Sequence, residues 1–428
     1  MLIEFSVGNY RSFKDKVTFS MVAADITAKD KKLDDNNVFA VDNKLKLLKS
    51  AAIYGANASG KSNLAKALSF MKSFMVNSSK ETQSTDAIDV EPFRLSTDTK
   101  EQPSFFELVF LMDGRKYRYG FEANQEKIIS EWLFYVPKQR ETKLFKRQLN
   151  NIEITKTYNA DGIQQRTRAN ALFLSVSAQF NVEVAEKILS WTTDSLKIIS
   201  GLNNTQHLYY TVDCIMNNEN KSEIVQLVRD LDLGIDDIKV DQKIFLHNSI
   251  LDKIPNEAKE ALLNAGVFKA NSISTLHRKF DENGRYKSVE AFNLKKHESE
   301  GTQKLFALAG LIVNSLKQGK ILLIDEFDAS LHPLISQAII KLFNSNETNP
   351  NNAQLVVMTH DTNLLSNKLL RRDQIWFTEK NKYGATDLYS LAEYKVRNDA
   401  SFESDYIKGR YGAIPYIGNL NYLADSHA

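Results

Sequence analysis

The 428-residue chain has a single cysteine, Cys214. That excludes an internal disulfide framework and suits a reducing compartment, so a cytoplasmic location is expected. One cysteine among scattered histidines also lacks the ligand spacing of a structural zinc site. An excess of one charge sign is missing too. The 55 Lys and Arg face 53 Asp and Glu, leaving a formal charge of +2. That is no strong nucleic-acid footprint, although a local basic strip is compatible with a balanced total. Long apolar runs are absent. Residues 51–54 and 321–324 are far too short to span a bilayer, so no membrane partner is expected. The N-terminus lacks a basic-then-apolar leader pattern. Internal repeats, low-complexity tracts and a long charged heptad run are also missing, which excludes an extended coiled-coil arm.

What is present is a 43% hydrophobic content, enough for a large core. Soluble domains commonly run to ~100–200 residues, so two lobes or one lobe with a large insertion are expected. Residues 2–7 alternate apolar and polar and read as a strand that residues 17–21 could pair. Residues 25–43 read as a polar loop, and 78–89 as a polar, mobile stretch. Residues 104–112 and 117–123 read as a hairpin across Asp113-Gly114, because both positions of that dipeptide accept positive φ. Strands at 131–136 and 143–147 extend this region, and its aromatic residues (Phe105, Phe106, Phe110, Tyr117, Tyr119, Phe121) read as core. Helices are expected at 182–191, 222–231, 256–264, 301–316 and 334–343. Further strands are expected at 239–245, 272–280, 286–293, 321–324, 354–358 and 374–378. Arg371-Arg372 reads as a solvated helix end, and Lys295-Lys296-His297 as a solvated basic loop.

The chemistry begins at Gly55-Ala-Asn57-Ala-Ser59-Gly60-Lys61-Ser62, a full G-x-x-x-x-G-K-[ST] pattern. An apolar strand precedes it, and a helix with Leu64, Leu68, Met71 and Met75 on one stripe follows. Glycines let the loop curl so that backbone N–H groups converge on phosphate oxygens. Gly55, Asn57, Ser59, Gly60, Lys61, Ser62 and Asn63 are therefore the expected nucleotide-holding residues. Lys61 is expected to reach the β- and γ-phosphates, and Ser62 to place its hydroxyl on Mg²⁺ at a helix N-terminus. Ile321-Leu-Leu-Ile-Asp325-Glu326 ends a buried strand in two carboxylates at the sheet edge where the P-loop sits. Asp325 is the expected Mg²⁺ ligand and Glu326 the general base for water. Gln354-Leu-Val-Val-Met-Thr-His360-Asp361 ends the next strand, with His360 placed to touch the γ-phosphate or the water. Glu298-Ser299-Glu300-Gly301-Thr-Gln opens a long helix, where Ser299 suits either an N-cap or an anion contact.

The order of these motifs resembles the ABC-type ATPase heads, in particular the recombination and chromosome-maintenance branch with its overcoming-lysogenization-defect relatives. Ser299 to Gln303 looks like the signature motif, Asp328-Ala-Ser330-Leu-His332 like the D-loop, and His360 like the switch histidine. Asn9-Tyr-Arg11-Ser-Phe13 looks like the N-terminal stretch whose arginine lies near phosphates. Tyr406-Ile-Lys-Gly-Arg410-Tyr-Gly-Ala-Ile-Pro415 and Asp373-Gln-Ile-Trp376-Phe look like a compact subgroup of bacterial AAA-type ATP-binding proteins, often encoded beside a nuclease-like or toxin-like partner in mobile or phage-defence loci.

The resemblance implies an α/β P-loop NTPase of ABC-ATPase type, with a mixed sheet core, an antiparallel β subdomain and a helical insertion. It implies ATP rather than GTP, and a homodimer or higher even oligomer in which Ser299 and Gly301 complete the partner's nucleotide site, with Ser330 of the D-loop a further nucleotide-binding residue. Residues 1–180 and 267–395 would form the ATPase lobe, 181–266 the insertion and 396–428 a tail too short for a nuclease domain. A glutamine-loop residue has no clear counterpart, Gln179 being a loose match. The implied role is a Mg²⁺-dependent ATPase regulating a separately encoded nuclease-like or toxin effector in phage defence. The alternatives are a nucleotide-locked scaffold with little turnover, or a DNA-end-binding repair head.

Overall fold

The computed structural model describes residues 1–200, 205–231, 234–244, 269–397 and 400–418. The chain divides into two compact units. The first comprises Met1–Gly201, Ser315–Asp328 and Ser336–Ala428, and the second Leu202–Asn314 and Ala329–Ile335.

In the first unit β1 (Leu2–Gly8) and β2 (Val17–Ser20) are followed by a two-stranded ribbon, β3 (Val38–Ala40) with β4 (Lys46–Leu48). β5 (Ser50–Tyr54) runs into the helix Lys61–Asn77. Five strands follow: β6 (Ser104–Met112), β7 (Arg115–Ala123), β8 (Ile128–Val136), β9 (Thr142–Gln148) and β10 (Asn151–Ile154). With β1 and β2 they form an antiparallel sheet of order β10-β9-β8-β7-β6-β1-β2. The β6–β7 connection is the expected hairpin, and Asp113 and Gly114 take φ of 51° and 71°, as a tight two-residue turn requires. β11 (Leu196–Ile199) follows the helices Phe173–Gln179 and Glu183–Ser195.

The second unit holds the helices Thr205–Met216 and Lys221–Asp230, then an antiparallel sheet of β12 (Asp237–Ile244), β13 (Lys269–Phe280) and β14 (Tyr286–Asn293). The expected helix at 256–264 lies outside the described residues. Leu208, Val212, Ile224, Val228, Ile238 and Phe306 share this unit's core. The helix Glu300–Gln318 then leads to β15 (Ile321–Ile324).

The remaining strands return to the first unit: β16 (Gln354–Met358), β17 (Ile375–Lys380) and β18 (Thr386–Ser390). They build a six-stranded sheet of order β11-β15-β16-β5-β17-β18, parallel except for β18. Every residue of β5, β15 and β16 is buried, which is why these strands read as continuous apolar runs rather than alternating ones. One apolar cluster joins this sheet to the antiparallel one. It takes Phe5, Phe106 and Phe121 from the first sheet, Ile53, Leu323 and Val356 from the second, and the expected Leu64, Leu68, Met71 and Met75 stripe from the helix Lys61–Asn77.

Several expectations are corrected. Residues 25–43 are not one loop. Asp30 caps the helix Lys31–Asn37 by accepting from Lys32 N, a local signal hidden in a charged stretch. Residues 78–89 lack regular structure but are pinned, because Arg168 and Asn170 donate to the carbonyls of Ser78, Thr82, Gln83 and Asp86. Arg371 is no solvated helix end. It is 5% exposed and ion-paired with Asp34 and Asp373, while also donating to Ala24 O. Asp34 and Ala24 come from remote sequence, which no local reading could supply.

The antiparallel sheet hides a second such pair. Glu131 and Arg147 are both essentially fully buried, 3.7 Å apart. Glu131 accepts from Tyr119 OH and from the amides of Phe173 and Leu174, while Arg147 donates to the carbonyls of Leu149, Arg168 and Ala171. The pair thus ties β8 and β9 to the helix Phe173–Gln179. Arg147→Met strands the Glu131 charge. It is expected to lower unfolding stability by about 3–5 kcal/mol, read as a shifted midpoint in urea denaturation. A shift no larger than that of a surface Arg→Met control contradicts this.

Candidate functional site

The candidate site lies at the carboxyl edge of the parallel sheet. β5, β16 and β15 are neighbours in register, with Ile53 opposite Met358 and Val357 opposite Ile324. The residues that follow each strand therefore emerge side by side: the loop from Gly55, His360 after Thr359, and Asp325 with Glu326. They line a cavity of about 390 Å³ whose walls are residues 57–63, Asp325, Glu326, Met358, His360 and Lys380.

The loop is held from outside as well as by its glycines. Ser59 Oγ lies 2.6 Å from Thr378 Oγ1, and Thr386 Oγ1 donates to Ser59 O at 2.7 Å. A Cβ on Gly55 would collide with Thr378 and Ser59, and one on Gly60 with Thr386. Gly60 also takes φ of 121°, a conformation that L side chains rarely adopt. The helix Lys61–Asn77 starts behind Gly60 with no side-chain cap, leaving its positive end to the cavity.

Lys61 is 7% exposed and its ammonium donates to Gly55 O at 2.7 Å and Ala56 O at 3.2 Å. Burial lowers its pKa to about 8, against the opposing pull of Asp325 and Asp328. A buried cation resting on loop carbonyls, beside an uncapped helix end, fits a polyphosphate. Asp325 is 4% exposed, its amide donates to Ile199 O, and its Oδ1 accepts from Glu326 N. Glu326 is half-buried and takes φ of 52°, unusual for a residue with a Cβ and consistent with a strained turn that re-aims the carboxylate. His360 is exposed, yet its partial burial and then Lys61 hold its pKa below the ordinary imidazole value, opposed by Asp328, Asp325 and Glu326. That favours the neutral imidazole in the ligand-free site. Its amide donates to Asp328 Oδ1 at 3.1 Å.

Among the described residues no group of three His, Cys, Asp or Glu side chains could hold a metal by itself. Mg²⁺ makes no such demand, since it keeps waters and takes one or two protein oxygens plus phosphate oxygens. The Ser62 hydroxyl and Asp325 carboxylate on one cavity wall fit that donor set.

The signature-like residues belong to the second unit and are described within it. Ser299 is exposed, and its Oγ accepts from Thr302 N at 3.2 Å, so it caps its own helix. A Cβ on Gly301 would strike the Ser330 carbonyl, and Lys304 donates to Ala329 O at 2.9 Å. Glycine there lets the loop carrying Ser330 (φ 62°) lie directly on the helix. Arg11, expected near phosphates, does not line the cavity. Its guanidinium stands 3.5 Å from Glu91 in a neighbouring recess. Gln179 is exposed at the end of a seven-residue helix. Sequence reading missed Lys380, Thr378, Thr386 and the Asp328 contact to His360. The two threonines and Lys380 belong to β17 and β18, and β18 carried no strong pattern of its own.

Lys61 gives a pH test with a defined sign. A bound phosphate stabilises the ammonium and raises its pKa above the ligand-free value of about 8. Above that value the free protein must take up a proton to bind, so affinity falls as pH rises. Calorimetric titration with tripolyphosphate at about pH 9, in buffers of different ionisation enthalpy, is expected to show net proton uptake. Lys61→Arg is expected to abolish it, because guanidinium stays charged.

Comparison with known proteins supplies the family. A match over residues 50–366 is to the family described as "AAA domain, putative AbiEii toxin, Type IV TA system". Among solved structures the chain is similar to the SMC head domain from Thermotoga maritima, at 14% identity and a TM-score of 0.39, covering 91% of this chain and 98% of that one. No curated protein matches the chain. Among the described residues no helix is long and apolar enough to cross a membrane. With its motifs gathered at one sheet edge and three-quarters of its length matched, the chain belongs to this AAA-domain family of P-loop ATPases.

Proposed function

We propose that the protein binds ATP with Mg²⁺ and hydrolyses it, and that the nucleotide gates pairing of two copies. The observation that carries this reading is the single cavity on which Lys61, Ser62, Asp325, Glu326 and His360 converge. Lys61 and the loop amides bind the phosphates, with Asn57, Ser59 and Asn63 shaping the loop. Ser62 and Asp325 hold Mg²⁺, which neutralises charge developing on phosphate oxygens. Glu326 orients and deprotonates the attacking water. Neutral His360 can donate or accept one hydrogen bond at the γ-phosphate or the water, depending on its tautomer.

Ser299 and Gly301 of a second copy, with Ser330, close over the nucleotide in this reading. The exposure of Ser299 at a helix start supports it, since such a position can contact an anion. ATP then joins the copies and hydrolysis releases them. The family description names a toxin of a toxin–antitoxin system. A toxin–antitoxin system pairs two gene products, which supports action with a separately encoded partner; we read that partner as a nuclease-like or toxin effector in phage defence, and the protein as its cytoplasmic regulatory ATPase.

Glu326→Gln is expected to lower phosphate release by about 100-fold or more while ATP binding persists. Turnover equal to wild type rules out the general-base assignment. Wild type with no turnover at all, but firm ATP binding, leaves a nucleotide-locked scaffold. Light scattering of Glu326→Gln is expected to show an ATP-dependent rise to dimer mass or above, lost in Glu326→Gln with Ser299→Arg. Phage protection by the gene and its neighbour is expected to vanish with Lys61→Ala.

A further inference from the structure

The segment that delivers Ser299 is tied to a strand of its own unit. β14 ends at Asn293, a short helical turn follows over Leu294–His297, and Glu298 and Ser299 then lead into the helix Glu300–Gln318. Glu298 is an acid next to the residue that is to meet a triphosphate, and a carboxylate free to swing there would repel it. Its side chain is instead folded back onto β13. There Oε1 lies 2.7 Å from His277 Nε2 and also accepts from the Thr275 hydroxyl. Resting on the nucleotide-gated pairing read above, we infer that His277 and Thr275 are positioning residues for Ser299. They clamp Glu298 and so hold the serine ready for the second copy's nucleotide.

The clamp is built from buried groups. Thr275 is fully buried, and the side chains of His277 and Glu298 are 19% and 10% exposed. Thr275 and His277 alternate along β13 with one residue between them, so both project from the same face of the strand. The acceptor is a carboxylate, so His277 Nε2 carries the proton. The imidazole packs against the Phe292 ring, with centroids 4.7 Å apart, and Phe292 lies opposite Thr275 in the β13–β14 register. The turn after β14 closes on the strand it leaves: Asn293 N donates to His297 Nδ1 at 2.9 Å, and Lys296 N donates to Asn293 Oδ1 at 3.1 Å. The backbone of Glu298 is held as well, because its carbonyl accepts from Gln303 Nε2 at 3.0 Å. Glu298 is thus fixed by the sheet through its carboxylate and by the signature-like helix through its carbonyl. Ser299, the next residue, is exposed but has little freedom. That combination favours an anion contact between copies, since little ordering entropy is then lost on association. The phosphate cavity is lined by other residues.

The test uses Glu326→Gln protein, expected above to hold ATP without turning it over, and follows ATP-dependent pairing by light scattering across protein concentration. His277→Leu removes a donor to a charged acceptor and is expected to weaken pairing about tenfold. ATP binding by the single copy, titrated at protein concentrations too low for pairing, is expected to be unchanged. His277→Gln keeps an N–H donor and is expected to restore most of the pairing. Glu298→Ala is expected to weaken pairing too, and its combination with His277→Leu to be no weaker than the more impaired single variant, since both break one interaction. Where His277→Leu does not fold, Thr275→Val removes the other donor at nearly constant shape and is expected to weaken pairing in its place. Undiminished pairing in the folded variant, additive losses in the double variant, or an equal loss of single-copy ATP binding overturns the clamp and leaves the pairing reading standing. No ATP-dependent pairing in Glu326→Gln itself defeats the pairing reading and this inference with it.

Discussion

The register of three buried parallel strands is the constraint on which the rest depends. β15, β16 and β5 lie side by side with Ile324 opposite Val357 and Met358 opposite Ile53. A slip of one residue would turn every side chain to the other face of the sheet. With this register fixed, Asp325, Glu326, His360 and the P-loop reach the same edge although their sequence segments lie far apart in the chain. The strands hold it because they are buried on both faces and apolar apart from their first residues Ser50 and Gln354, so no polar alternation competes.

Around that edge the molecule keeps charge in low-dielectric surroundings only where it has partners or a task. Glu131–Arg147 and Arg371–Asp373 are buried and satisfied by several hydrogen bonds each, so they order the chain. Lys61 differs. Among the described residues its ammonium donates to two loop carbonyls, Gly55 O and Ala56 O, and burial has already lowered its pKa to about 8. A cation held at that cost is poised to gain from an incoming anion. The same field reaches His360, whose pKa is lowered by burial and then by Lys61.

The two units divide the proposed work. The first carries the P-loop and both strand-end carboxylates. The second carries Ser299 and Gly301 on a helix whose start packs on the Ser330 loop. Gly301 is what lets that loop approach, so the signature-like glycine has a packing role whether or not a nucleotide is bound.

The P-loop, the Asp325-Glu326 pair and His360 were legible in the chain because each is a local pattern: an apolar run followed at once by the chemistry. The Asp113-Gly114 hairpin and the helix stripe from Leu64 to Met75 were legible for the same reason. The ties of Thr378 and Thr386 to the loop, Lys380 on the cavity wall, the seat of Arg11 beside Glu91 and the burial of Arg371 were not. Each depends on a partner tens to hundreds of residues away, and a threonine or lysine carries no local mark of what it will face. Sequence alone determined which groups could do phosphate chemistry, because backbone curl and side-chain type are local properties. Only the tertiary structure decided which of them share a cavity, because strand order and register are set by burial across the whole sheet.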